Sequence, residues 1–206
     1  MGSARAMPTL ASCLLLALLA GCATGGDPTT RFYVLSALPA ATAALAGVRR
    51  EPPVAVDIAA LRLPQYLERP QIVTRSAHNE LALQEYHQWG GNLAKNMTSV
   101  LARNLALLLD TAEISVFSRR PPAPADVRVE IDVLQFERAP DRRVLLSAQW
   151  RIRAGADGAA RLARISDVGS EPLDATAGMD ATVATMSALL GELSGIIARA
   201  IAEQAR

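Results

Sequence analysis

The chain has 206 residues, a formal net charge of +1 and only two cysteines, and half of it is hydrophobic. That length suits one domain of ordinary size. The balanced charge offers no basic excess to hold a phosphate backbone, which argues against a nucleic-acid partner.

The first elements in the chain set its compartment. Arg5 supplies a positive start, and Leu10–Leu19 (LASCLLLALL) is an apolar run. Such a run fits an export signal and falls short of the roughly 20 residues that span a bilayer. It ends in Leu19-Ala20-Gly21-Cys22, the lipobox pattern: a branched apolar residue, two small ones, then a cysteine that takes lipid. Residues 1–21 are therefore expected to be a cleaved signal peptide, Cys22 the lipid attachment site, and 22–30 a flexible tether. An ordinary secretory signal would need no cysteine there. Cys13 would leave with the signal, so the mature chain has no disulfide, thiolate nucleophile or cysteine metal site. One acyl chain binds a membrane only marginally, and several make attachment lasting. Ala23 is not the aspartate that commonly retains lipoproteins in the inner membrane, so the periplasmic face of the outer membrane is the expected destination.

The domain is expected over 31–206. Arg31–Leu35 reads as a first strand, with aromatic and β-branched residues suited to a pleated surface. Ser36–Pro53 reads as a loop with a weak helical turn, and Val54–Ile58 as a buried strand. Leu61–Arg75 holds two prolines and cannot be one regular element. It divides into an extended piece, a turn around Tyr66–Pro70, and a short strand Gln71–Thr74 that pairs with Leu81–Leu83.

A strong helix is predicted from Trp89 or Gly91, because Trp89, Leu93, Met97, Val100, Leu101, Leu105 and Leu108 recur at helical spacing. Asp110 and Thr111 end it. Glu113–Phe117 reads as a strand, and Pro121–Pro124 as a stiff linker. Val127, Val129, Ile131 and Val133 alternate with Arg128, Glu130 and Asp132. After a turn at Ala139–Arg142, Val144, Leu146, Ala148, Trp150 and Ile152 alternate in the same way. These two runs form an antiparallel hairpin with one wet face. A turn at Gly155–Gly158 leads to a third strand over Arg161–Val168. The last helix runs from Met179 to about Glu203, with Val183, Met186, Leu190, Leu193, Ile197 and Ile201 on one stripe. The expected fold is a single α/β domain, a mixed and largely antiparallel sheet of five to seven strands packed by two long amphipathic helices.

Residues for catalysis are scarce. Lys95, the single lysine, lies between Ala94 and Asn96 and cannot serve a phosphate loop. No Gly-x-Ser-x-Gly elbow exists. His78 and His87 lie nine residues apart, against four for a helical zinc pair, and read as polar surface residues. Glu130 and Asp132 share a strand face with Arg128, where neighbouring charges explain them better than acid/base work. No metal, cofactor or enzymatic role is expected. The turn Tyr66-Leu67-Glu68-Arg69-Pro70 admits two readings. Tyr66, Leu67 and Arg69 have the composition of interface anchors, or the tyrosine covers the end of the sheet.

Four stretches give the sequence a likeness: Phe32–Leu35, Leu63–Val73, Trp89 followed by the helix with Leu101 and Asn104-Leu105, and the strand pair ending Ala148-Gln149-Trp150. Together they resemble the ABC-type transport auxiliary lipoproteins (the PqiC/YmbA-like group). Relatives often place a polar residue and proline after the tryptophan, where this chain has Gly90-Gly91. The resemblance implies a non-enzymatic periplasmic lipoprotein that accompanies an MCE-domain protein in lipid transport between membranes. It is compatible with a homo-oligomer, because MCE proteins form rings. A lipid-binding carrier and an assembly factor of another envelope machine share the same anchor and stay open as readings of the residues.

Overall fold

The computed structural model describes residues 29–46, 53–59, 61–116, 125–155 and 158–204. The expected signal peptide, Cys22, most of the expected tether, Phe117, the expected Pro121–Pro124 linker and two residues of the expected Gly155–Gly158 turn lie outside them.

The described residues form eight strands in one mixed sheet, with three α-helices: β1 (Arg31–Tyr33), α1 (Ala40–Ala46), β2 (Val56–Ile58), β3 (Gln71–Ala77), β4 (Glu80–Trp89), α2 (Leu93–Leu109), β5 (Ile114–Val116), β6 (Val127–Arg138), β7 (Val144–Ala154), β8 (Ala160–Gly169) and α3 (Met179–Gln204). The α/β architecture with two long helices is as the sequence predicts. The strand count is higher, and the weak helical turn after β1 is a full short helix.

Strand β6 is the spine. Along one edge it pairs antiparallel with β7, which pairs antiparallel with β8. Its other edge is shared. β2 runs parallel to it in the register Val56↔Val127 to Ile58↔Val129, and β5 lies outside β2. The same segment continues to a bridge at Arg62↔Asp132, and β3 rejoins β6 at Thr74↔Arg138. Beyond β3 come β4, antiparallel, and β1, parallel to β4. Between bridge and strand the chain leaves the ladder over Leu63–Pro70 as a 3-10 turn, Gln65–Leu67. Pro64 and Pro70 have no N–H to give a neighbouring strand, so the excursion falls where pairing is weakest.

Alternation sorts β6 and β7 into two faces. Val127, Val129, Ile131, Val144, Leu146, Ala148, Trp150 and Ile152 are buried beneath the helices. A bulge between Val133 and Gln135 shifts the phase, so that Phe136 points inward and Glu137 outward. The buried indole of Trp150 donates to Ser166 Oγ at 3.0 Å, which satisfies its one polar atom.

Two corrections concern the first long helix. Trp89 ends β4 rather than opening the helix, and its strand is far longer than the three residues the alternation suggests. Asn92 is the true cap: its side chain accepts from the Lys95 backbone N–H at 2.9 Å, satisfying a donor of the first turn. At the other end Asp110 takes the left-handed conformation, φ 51°, and stops the helix. The stripe from Leu93 to Leu108 is buried as expected. The final helix has the length and mean hydropathy, 1.5, of a membrane span. Its stripe from Val183 to Ile201 is nevertheless buried within the domain, so packing on the sheet explains its composition.

Candidate functional site

The face of the sheet opposite the helices carries a row of ion pairs along β6. Asp57, 1% exposed in β2, accepts from Arg128 Nε at 2.7 Å and from Ser115 Oγ at 2.9 Å. Asp132 is held by Arg62, through Nε and through Nη2 at 3.0 Å, and by Arg151 Nη1 at 3.2 Å. The Arg62 hydrogen bond is the main cause that holds the Asp132 carboxyl below its ordinary range, and the same bond raises the guanidinium. Asp132 thus belongs to Arg62 and Arg151 rather than to its strand neighbour Arg128.

The row ends beneath the Leu63–Pro70 turn, where Glu137, like Asp57, is buried on the charged face. Burying a carboxylate costs several kcal/mol unless donors surround it. Five bonds do so. Tyr66 Oη donates at 2.7 Å, Arg75 Nε and Nη2 at 3.1 and 2.8 Å, Gln135 Nε2 at 3.0 Å and the Phe136 backbone N–H at 3.2 Å. Burial, then the Glu137 hydrogen bond, push the Tyr66 hydroxyl well above the ordinary tyrosine range. The turn is therefore bolted at its tyrosine to a charge inside the domain.

Its other residues take different positions. Leu67 is buried at 2% exposure and pins the turn from within. Glu68 is exposed. Arg69 is half-buried, and its Nε, closed off from solvent, meets no hydrogen-bond partner. An open cleft of about 580 Å³ runs beside this arginine, lined by Leu63, Leu67, Pro70, Trp89 and the start of α2. On the opposite side Tyr66, Arg75, His78, Leu134 and Leu145 border a second open hollow of about 690 Å³.

A second constellation fixes the entry of the chain. After β1, Leu35 N–H donates to Asn96 Oδ1 at 2.7 Å, Ser36 N–H to Ser187 Oγ at 3.1 Å, and Leu38 N–H to Asn104 Oδ1 at 2.8 Å. Asn104 is fully buried and donates onward to Ser194 Oγ at 3.0 Å, joining α2, α3 and this Leu35–Leu38 strap. Leu38 lies on Gly191 so closely that a Cβ there would sit 2.5 Å from its Cδ2.

Sequence reasoning singled out the turn and missed Glu137, Arg75 and Asn96. The one available sign was Asn104, a polar residue in an apolar stripe. The histidines are apart: His87 bonds the Tyr33 hydroxyl at 2.8 Å, and the His78 carbonyl accepts from Arg75. Among the described residues no group of three or more His, Cys, Asp or Glu is placed to hold a metal ion.

These features define a two-layer α/β domain, helices on one face and a charged sheet face on the other, with a rigid turn at its rim. The chain belongs to the ABC-type transport auxiliary lipoprotein component family, which matches residues 33–198. No match to a curated protein was found. Among solved structures, an uncharacterized protein is 19% identical, with a TM-score of 0.67 over 84% of this chain and 99% of its own. A Xanthomonas campestris protein is 15% identical, with a TM-score of 0.62 over 83% and 90% of the two chains. At these identities the likeness is one of fold.

Proposed function

We propose that this chain is a non-enzymatic subunit anchored by lipid on Cys22 at the periplasmic face of the outer membrane. In this reading the Tyr66 turn docks an MCE-domain protein of the same lipid transport system. Membership of an auxiliary lipoprotein family supports the setting, and Ala23 after the cysteine supports the outer membrane.

The observation that carries the docking reading is the rigidity of the turn. Tyr66 is bound to buried Glu137 and Leu67 is packed inside, so presenting this surface costs little ordering entropy. Arg69 completes it, lining an open cleft together with Leu63 and Trp89. Tyrosine and arginine are the residues that interface anchors favour. Here Leu67 acts by holding the shape of the turn. The carrier reading gains less support, because the space between helices and sheet is occupied by Trp150, Phe136, Leu146 and Ile152.

A photoreactive residue at exposed Glu68, used in cells, leaves the Tyr66–Glu137 bond intact. The expected result is capture of an MCE-domain protein, lost when Cys22→Ser removes the anchor. Silence at Glu68 and at Arg69, with the MCE protein present at normal levels, sinks the docking reading.

A further inference from the structure

The two most exposed large hydrophobic side chains among the described residues are Phe32 and Val34, at 67% and 60%. They alternate around Tyr33 and so leave the strand on the side opposite its ring. Single exposed apolar residues are ordinary on protein surfaces, and Ile165, out on edge strand β8, is one such case. Phe32 and Val34 differ in being paired and in where the chain brings them. Even fully extended, the chain from Cys22 to Phe32 reaches at most about 35 Å.

The mount is also stiff. Gly90 N–H donates to the Tyr33 carbonyl at 2.7 Å, and the Asn96 bond to Leu35 follows at once. A lipid on Cys22 would therefore hold this pair, in a fixed orientation relative to the domain, near the bilayer. Arg31, exposed beside them, is a cation at the same level.

We propose that Phe32 and Val34 seat in the headgroup and upper acyl zone of the bilayer that holds the Cys22 lipid, so that β1 sets how the domain stands on the membrane. The inference rests on the anchor proposed above. The occupant it assigns is a phospholipid surface. An aromatic ring and an aliphatic side chain gain by leaving water there, and Arg31 meets anionic headgroups.

The test uses the full lipoprotein in vesicles of phosphatidylethanolamine and phosphatidylglycerol, part of whose acyl chains are brominated. Phe32→Trp adds one exposed indole beside the buried Trp89 and Trp150, and Ile165→Trp is the matched control. Mass spectrometry of the N-terminal peptide comes first. An unmodified Cys22 overturns the anchor reading and this inference with it. With acylated Cys22, the indole from Phe32→Trp is expected to be quenched by bromine several-fold more than the control. Equal quenching overturns the seating alone. So does an indole shielded from both brominated lipid and aqueous acrylamide, which would assign the patch to a second copy or another protein.

Discussion

The hydroxyl of Tyr66 donates to the carboxylate of Glu137 at 2.7 Å, across a separation of 71 residues, and so bolts the rim turn to the spine of the sheet. A hydrogen bond to a buried charged group is worth about 1.5–3 kcal/mol, and the half-buried position of Tyr66 places it near the lower end. Tyr66→Phe is expected to destabilise the domain by about 1–2 kcal/mol in urea unfolding. Glu137→Gln removes the charge while keeping the shape, and should cost about 3 kcal/mol as Arg75 loses its partner. Because the two residues share one network, the double variant should cost less than the sum of the singles. Simple additivity would mean that the bond contributes nothing.

Asp132 makes a pH prediction with a definite sign. Its carboxyl lies below the ordinary 3.8 in the folded chain, so the native state holds its proton less tightly than the unfolded one. The stabilisation is present above 3.8 and is lost as pH falls through the lower, folded value. Arg62 is 67% exposed, so solvent screening keeps the effect to about 1 kcal/mol or less. Acid unfolding of the parent and of Asp132→Asn should differ near neutrality and converge at the acid end. A constant gap across the range would remove the pair as its cause.

Gly191 tests the strap. A glycine inside a helix costs about 1 kcal/mol relative to alanine, yet this one sits mid-way along α3 beneath Leu38. Gly191→Ala should therefore bring no net gain, and should speed hydrogen exchange at the Leu38 amide, whose bond to Asn104 the displaced side chain strains. In a Leu38→Ala background the same change should stabilise by about 1 kcal/mol. Unaltered exchange in the single variant would show that Leu38 moves aside without disturbing the strap.

Periodicity carried the fold wherever a strand or helix had one clean buried side. The hairpin of β6 and β7 and the stripe of α3 were legible for that reason. Strand β4 was not, because its two sides are similarly exposed, as Leu81, Leu83 and Tyr86 show. Trp89 misled for a related reason: it is buried as a strand end at a spacing that also fits the helix after it.

The site was legible in part. Two prolines, a tyrosine and an arginine marked the rim turn, whereas its counterpart is a lone glutamate in a strand. Nothing local distinguishes Glu137 from Glu130. Only the return of β3 to β6 at Thr74↔Arg138, a pairing set by long-range topology, brings Arg75 and Tyr66 over it.

The bulge in β6 has a bearing on how genes of this kind can change length. Opposite Ala148 and Ser147 stand Val133 and Gln135, so Leu134 is the supernumerary residue and has no partner of its own in the ladder. Losing its codon would leave Val133 and Phe136 inward and Glu137 outward, now in an unbroken strand. Losing the codon for Ile131 instead would slide the preceding residues by one and turn their apolar side chains toward water. Length polymorphism in this strand is thus channelled to one position, and shorter variants that keep the rim turn should lack the residue at 134.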